Sequence, residues 1–355
     1  MIRSFPRFLS AAALALAVSL MPAVAAPKKD FKVCWSIYVG WMPWGYMQEA
    51  GIMKRWADRY GLSIDVVKIN DYVESINQYT AGAYDGCSMT NMDALSIPAG
   101  GGVDTTALIV GDFSNGNDAV ILKNRDKLQA IKGQKVNLVE LSVSHYLLAR
   151  ALDSVKLAEK DIKVVNTSDA DMVAAYKSKD VTAVVTWNPL VSTILEDKSA
   201  KKVFDSSQIP GEIIDLMVVN TETLKDNPDF GKALVGAWYE TLALIKGGDK
   251  AAVDAKTAMA KASATDLEGF DAQLATTQMF YDPKEAVAFT RSPKLPQTMD
   301  YVRKFLFSHG ILGQKAKSVD VVGIAFADGT VLGSKANVKL RFDPAVMELA
   351  AGGKL

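Results

Sequence analysis

Hydrophobic and polar positions follow a repeating order from Phe31 onward: a short apolar run, a polar or glycine-containing turn, and a segment with helical spacing. Apolar runs of this length predict strands, and the spaced segments predict helices. The predicted strands are residues 31–39, 63–69 and 86–89, and the predicted helices are residues 44–60 and 73–82. Strands and helices that alternate in this way are typical of a mainly parallel sheet with helices on both faces.

The same order returns in a second stretch of the chain. Its predicted strands are residues 136–140, 162–166 and 183–187, and its predicted helices are residues 143–152 and 170–178. Two such stretches indicate two α/β lobes. Extended apolar runs at 119–122 and 216–220 stand on either side of the second stretch, so we expect the chain to cross from one lobe to the other and back.

After the second crossing the pattern becomes helical, with amphipathic segments at 228–245, 250–262, around Ala286 and at 296–309. We expect residues 26–118 to begin lobe 1, residues 119–217 to form lobe 2, and residues 218–355 to complete lobe 1, mostly with helices. The tail after Lys317 is too mixed to assign.

The first 25 residues have the order of a secretory signal peptide. Arg3 and Arg7 precede an apolar run at 8–20, and small residues follow at 23–26. The run is shorter than the roughly 20 residues that span a membrane, and no cysteine stands at the expected cleavage site before Ala26 to carry a lipid. We therefore expect an exported, soluble periplasmic protein without a lipid anchor.

Charge and cysteine content exclude some classes of partner. The chain has 40 Lys and Arg residues against 40 Asp and Glu residues, so no basic excess indicates nucleic acid binding. Cys34 and Cys87 both lie in apolar segments and could pair in an oxidising compartment. We expect two buried thiols instead, because the sequence does not show that their Cα atoms are close enough for a disulfide.

Candidate binding residues lie in the loops that follow the predicted strands and near the first crossing, because ligands of open α/β sheets bind at the carboxyl ends of strands. Several of them also have a structural explanation: the tryptophans could pack in the core, the aspartates could form turns or helix caps, and the serine could cap a helix. Glu140 has no such explanation and is the leading carboxylate. The candidates are Trp41, Trp44, Asp93, Asp112, Asp118, Glu140, Ser144 and Trp187.

The sequence contains no arrangement that requires catalysis. Gly-x-Ser-x-Gly, Walker and Rossmann glycine patterns are absent. His145 and His309 are the only histidines, and their separation does not match a metal site. We expect no catalytic residue, no metal and no cofactor.

An ordered set of short motifs resembles a known family. The set comprises Gly40-Trp41-x-Pro43, Tyr72 with Ser75, and the motifs at 82–86, 112–119, 144–148 and 187–189. It is similar to the periplasmic solute-binding proteins of ABC importers in the nitrate/taurine/sulfonate class. The resemblance implies a type II periplasmic-binding fold that closes around its ligand like a hinge, a monomer, and delivery to an ABC permease and its ATPase.

Residues 139–146 are most similar to a branch of that family that is found beside urea-carboxylase-type genes and has been linked to urea and guanidine. The candidate loops contain four carboxylates but no Lys or Arg, whereas an oxyanion site needs donors. We expect guanidine as ligand, then urea, then a sulfonate or nitrate. The competing interpretations are an enzyme, like the thiamine-related pyrimidine synthases with this fold, and a sensor subunit with the same pocket. The enzyme is disfavoured by the separated cysteines and the export signal.

Overall fold

The computed structural model describes residues 28–312 and 316–355. The expected signal peptide lies outside these residues. Within them, the helices are too short or too polar to cross a membrane.

The described chain alternates between strands and helices through most of its length. The strands are β1 (Asp30–Trp35), β2 (Ser63–Lys68), β3 (Gly86–Thr90), β4 (Thr105–Ser114), β5 (Ala119–Lys123), β6 (Lys135–Leu138), β7 (Lys163–Asn166), β8 (Ala183–Thr186), β9 (Ala200–Asp205), β10 (Ile214–Asn220), β11 (Thr277–Met279), β12 (Gly323–Ala325), β13 (Val331–Leu332) and β14 (Val338–Phe342). The helices are α1 (Met42–Glu49), α2 (Ile52–Arg59), α3 (Tyr72–Thr80), α4 (Asn91–Ala94), α5 (Val143–Ser154), α6 (Asp169–Lys177), α7 (Leu190–Leu195), α8 (Thr221–Asp226), α9 (Pro228–Lys246), α10 (Lys250–Ala262), α11 (Leu267–Leu274), α12 (Pro283–Thr290), α13 (Lys294–Ser308) and α14 (Ala345–Ala351).

These strands form two sheets, which confirms the expected α/β class. The larger sheet has the order β13-β12-β14-β4-β10-β3-β1-β2, with β11 beside β4. The smaller sheet has the order β7-β6-β8-β5-β9. Both sheets are mixed: β1 runs parallel to β2 and β3, whereas β10 is antiparallel to β3 and β4. In the smaller sheet, β5 is antiparallel to both of its neighbours.

Two local differences from the sequence prediction shape the site. The single helix predicted over 44–60 is two helices, α1 and α2, separated at Gly51, which has a φ of 69°. Glycine adopts this left-handed conformation without steric cost. The strand predicted over 31–39 ends at Trp35, and a short 3₁₀ turn spans Val39–Trp41. This turn follows directly on Tyr38 and leads into α1.

The C-terminal part is less helical than expected. After Lys317 the chain forms β12, β13 and β14, and β14 joins the larger sheet through β4. These strands are two to five residues long, too short for a clear alternating pattern.

The cysteine prediction is wrong, because Cys34 and Cys87 form a disulfide. The two residues are register partners on the neighbouring strands β1 and β3, with their Cα atoms 4.4 Å apart. This separation lies within the range that a disulfide spans. The pairing of β1 with β3 is a long-range contact that the local pattern does not reveal.

Candidate functional site

A small cavity lies at the ends of strands from both sheets. Its volume is about 10 Å³, which is room for about one water molecule. A larger solute therefore has to part the walls. The cavity is lined by Tyr38, Trp41, Tyr72, Thr90, Asp118, Val143, Trp187 and Asp215.

Four aromatic rings form a continuous wall of this cavity. Tyr38 contacts Trp41 with ring centroids 5.0 Å apart, Trp41 contacts Tyr72 at 5.7 Å, and Tyr72 contacts Trp187 at 5.5 Å. The indole Nε1 of Trp187 donates a 2.9 Å hydrogen bond to the backbone oxygen of Ile37. That bond joins the loop after β8, in the smaller sheet, to the loop after β1, in the larger one. Ring faces of this kind attract cations.

Four aspartates are buried in or behind the cavity: Asp93, Asp112, Asp118 and Asp215, none more than 4% exposed. Across residues 28–312 and 316–355, none of them forms an ion pair with Lys, Arg or His. Burying an unpaired carboxylate is costly. The site is therefore strongly acidic and lacks a positive charge of its own.

Asp93 is held by donors from both sides of the cavity. Its Oδ2 accepts hydrogen bonds from the Tyr72 hydroxyl at 2.6 Å, from Thr90 Oγ1 at 2.9 Å and from the backbone N–H of Val143 at 3.2 Å. Burial nevertheless raises the pKa of Asp93 to about 6, and these donors offset only part of that effect.

Asp118 lies at the cavity surface with one strong side-chain partner. The Ser114 hydroxyl donates to its Oδ2 at 2.5 Å. The pKa of Asp118 is raised to about 7, chiefly by burial; the Ser114 hydrogen bond offsets part of this effect, and the nearby Asp112 and Asp93 add to it. With only one side-chain donor bound, the Asp118 carboxylate can accept a further hydrogen bond from a solute.

Asp112 and Asp215 face each other directly across β4 and β10, where they are register partners. Tyr38 donates its hydroxyl to Asp112 Oδ1 at 2.9 Å. Burial raises the pKa of Asp112 to about 7 and raises that of Asp215 well above its usual range, with repulsion from Asp112 as the second cause. Two adjacent carboxyl groups cannot both ionise easily, so the pair retains a proton near neutral pH.

The structure brings six of the eight sequence candidates together, some at the cavity surface and some behind it. Trp41, Asp118 and Trp187 line the cavity. Asp93 and Asp112 lie behind it, bonded to the cavity residues Tyr72 and Tyr38. Ser144 is buried in the first turn of α5, next to the cavity residue Val143, and its hydroxyl has no hydrogen-bond partner.

The other two candidates, Trp44 and Glu140, lie away from the cavity. Trp44 is buried in the core, where its ring stacks on Trp238 at 4.9 Å. Glu140 is exposed, because β6 ends at Leu138 and the chain then turns through Leu141, which has a φ of 60°. The expected leading carboxylate is therefore not one of the four buried ones.

Sequence reasoning did not select Tyr38, Tyr72, Thr90, Val143 or Asp215. Tyr38 lies at the end of the first predicted strand, and Tyr72 belongs to the family motifs, but neither was chosen as a binding residue. Asp215 carries a detectable signal, since it is the only charged residue in the apolar run 213–219. A lone carboxylate within an apolar run marks a candidate polar site.

Comparisons with known proteins show which proteins the chain resembles. The model of the NMT1-like family matches residues 34–262. A binding protein of Brucella abortus (strain 2308) is 25% identical over 264 residues, which cover 72% of this chain and 80% of that protein. The taurine-binding periplasmic protein of Escherichia coli (strain K12) is 24% identical over 129 residues, which cover 36% of this chain and 40% of that protein.

Among solved structures, the alkanesulfonate-binding protein from Xanthomonas axonopodis pv. citri, bound to MOPS, has a TM-score of 0.66 at 14% identity. The match covers 82% of this chain and 96% of that one. This likeness shows that the fold is the α/β periplasmic-binding-protein fold. These relatives are named for binding. Because the family match spans more than half of its length, the chain belongs to the NMT1-like family.

Proposed function

We propose that this chain is the periplasmic solute-binding component of an ABC importer, and that it captures guanidinium and delivers it to the permease and its ATPase. Urea, a neutral molecule of similar shape, is the second candidate. One observation carries the proposal: four buried carboxylates, without a Lys, Arg or His partner in the described residues, lie in or behind a cavity walled by aromatic rings.

Guanidinium matches both features of this cavity. It is planar, carries a positive charge and has N–H donors around its edge, like the head group of arginine. Its faces can stack on Trp41, Tyr72 or Trp187, which form the aromatic wall. Its edge can donate to Asp118 and Asp215, the two carboxylates that line the cavity. The bound cation would then supply the missing positive charge.

A sulfonate or nitrate suits the cavity poorly, although two of the similar proteins are named for taurine and alkanesulfonate. An oxyanion would lie against Asp118 and Asp215 and be repelled by both. A helix N-terminus is the usual alternative donor. Here the Val143 N–H, at the start of α5, already donates to the protein's own carboxylate on Asp93.

Hinge closure is part of the proposal. We propose that the strands of the larger sheet move as one lobe and residues 119–213 as the other. The boundary expected at 217 lies too late in the chain, because β10 begins at Ile214 and pairs with β3 and β4 in the larger sheet. In addition to the bond from Trp187 to Ile37, the contacts that bridge these segments include Tyr72 N–H to Asp169 at 3.1 Å, Ser168 hydroxyl to Asp71 at 2.6 Å, and Val143 N–H to Asp93. A solute that contacts both sides would favour the closed form by adding to these bonds.

The test is isothermal titration of the mature protein with guanidinium, urea, nitrate and taurine, repeated on Asp118→Asn. We expect guanidinium to bind and the variant to lose roughly 10- to 100-fold in affinity, the usual range for a charged hydrogen bond. Glu140→Gln is the matched control, because it also neutralises a carboxylate but lies away from the cavity, and it should bind normally. Binding of nitrate or taurine in place of guanidinium would refute the proposal.

A further inference from the structure

The Asp112–Asp215 pair has an unusual set of hydrogen-bond partners. Each carboxyl group has one buried oxygen, Oδ2, that receives no hydrogen bond from an N–H or O–H donor in the described residues. The two groups nevertheless face each other as register partners on the neighbouring strands β4 and β10. Two adjacent carboxylates can bond to each other only when one of them carries a proton.

The groups around the pair do not provide a positive charge to replace that proton. Tyr38, from the connection after β1, donates to Asp112. Asp118, from the connection between β4 and β5, raises the pKa of Asp215, and Asp112 raises the pKa of Tyr281, which follows β11. Asp93 faces Asp118 from α4. All of these groups are acids. The described residues therefore supply no positive charge that would allow both carboxyl groups of the pair to ionise.

We propose that Asp112 and Asp215 share one proton in the empty protein and release it to solvent when a cation enters the cavity, so that guanidinium capture expels a proton and urea capture does not. This inference rests on the proposed function. The exchange balances in charge, since one O–H bond breaks, the proton passes to water or buffer, and the cation replaces its positive charge.

The positions of the two residues explain why capture and proton release are coupled. Asp215 lines the cavity, whereas Asp112 lies behind it and is held by the Tyr38 hydroxyl. A cation beside Asp215 favours its ionised form, because opposite charges within a few ångströms lower a carboxyl pKa. Urea has no charge to do so. Asp215 thus acts as the ligand contact, and Asp112 as the positioning residue that keeps the proton on the pair.

The experiment measures protons directly. Guanidinium is titrated into the intact protein at pH 8 in phosphate, HEPES and Tris, and the observed binding enthalpy is plotted against the ionisation enthalpy of the buffer. Asp93 and Asp118, with pKa values raised to about 6 and about 7, are mostly ionised at this pH. The slope should therefore give the number of protons released by the Asp112–Asp215 pair. We expect about one proton per guanidinium and none per urea.

Two further measurements make the test decisive. Asp112→Asn supplies an amide donor to Asp215 in place of the shared proton, so guanidinium should still bind while the slope falls by half or more; Glu140→Gln should keep the full slope. In the unaltered protein, guanidinium affinity should rise about tenfold between pH 7 and pH 8, whereas urea affinity should stay the same. Guanidinium binding with zero slope would refute proton release and leave the proposed function standing, whereas absence of guanidinium binding would refute the proposed function itself.

Discussion

The hydroxyl of Tyr72 donates a 2.6 Å hydrogen bond to Oδ2 of Asp93, and both side chains are fully buried. The Tyr72 ring also stands between Trp41 and Trp187 in the cavity wall. Its backbone N–H donates to Asp169 across the cavity. Tyr72 therefore connects the wall, a buried carboxylate and a closing contact.

Tyr72→Phe should weaken guanidinium binding by about tenfold, equivalent to about 1.4 kcal/mol. The ring remains, but Asp93 loses its shortest donor, and a buried acceptor left without a partner is costly. Tyr79→Phe is the matched control, because Tyr79 lies on the same helix and bonds Thr105 instead. Titration should show weakened binding only for the Tyr72 variant. Equal affinities for both variants would contradict this role.

Asp215→Asn should reduce guanidinium affinity by roughly 100-fold or more, since it removes a charged contact in a desolvated site. The same change should raise the melting temperature of the ligand-free protein at pH 8, because burial of Asp215 requires it to take up a proton that the unfolded chain does not hold, whereas an amide needs none. Calorimetric titration and thermal unfolding measure the two effects. A variant that binds normally would show that Asp215 does not contact the solute.

The ligand-free protein should lose stability as the pH rises from 5 to 8. Burial raises the pKa values of Asp93, Asp112 and Asp118 to about 6, 7 and 7, whereas an unfolded chain has an aspartate pKa of about 3.9. The native state therefore holds more protons in this window, and its stability falls as they are lost. Thermal unfolding is the appropriate measurement, because urea and guanidinium are candidate ligands. A melting temperature that rises across this range would contradict the raised pKa values.

The two neighbouring tryptophans should respond differently to substitution. Trp41→Phe should lower guanidinium affinity several-fold, because phenylalanine is a weaker partner for a cation. Trp44→Phe should leave affinity unchanged and lower the melting temperature, because Trp44 stacks on Trp238 in the core. Titration and thermal unfolding of both variants separate the two effects. A loss of affinity in Trp44→Phe but not in Trp41→Phe would show that the solute contacts Trp44 instead.

Removal of the disulfide should affect stability rather than binding. The Cys34→Ala/Cys87→Ala double variant should lose about 2–4 kcal/mol of unfolding free energy. The bond joins β1 and β3 within the larger sheet and does not line the cavity, so guanidinium affinity should be kept. Thermal unfolding and titration of the variant test this, and a large loss of affinity would show that the bond positions the strand ends.

Much of the secondary structure could be predicted because helix and strand periods are local properties. Helix α10 has the predicted bounds, Lys250–Ala262, and β3 differs from its prediction by one residue. The strand ends also indicated where to look for the site, and three of the eight candidates line the cavity. Local patterns could not show the order of strands, in which β10 lies between β3 and β4.

The sequence by itself determined the α/β alternation, the acidic character of the strand-end loops and the aromatic residues available to them. Only the tertiary structure decided which of these side chains meet. Asp112 and Asp215 become a pair because β4 and β10 align in register, and Cys34 meets Cys87 because β1 lies beside β3. Glu140 follows a strand like the other candidates, yet its turn places it in solvent. Contacts between distant segments depend on strand order and register, which are set by packing of the whole chain rather than by any local pattern.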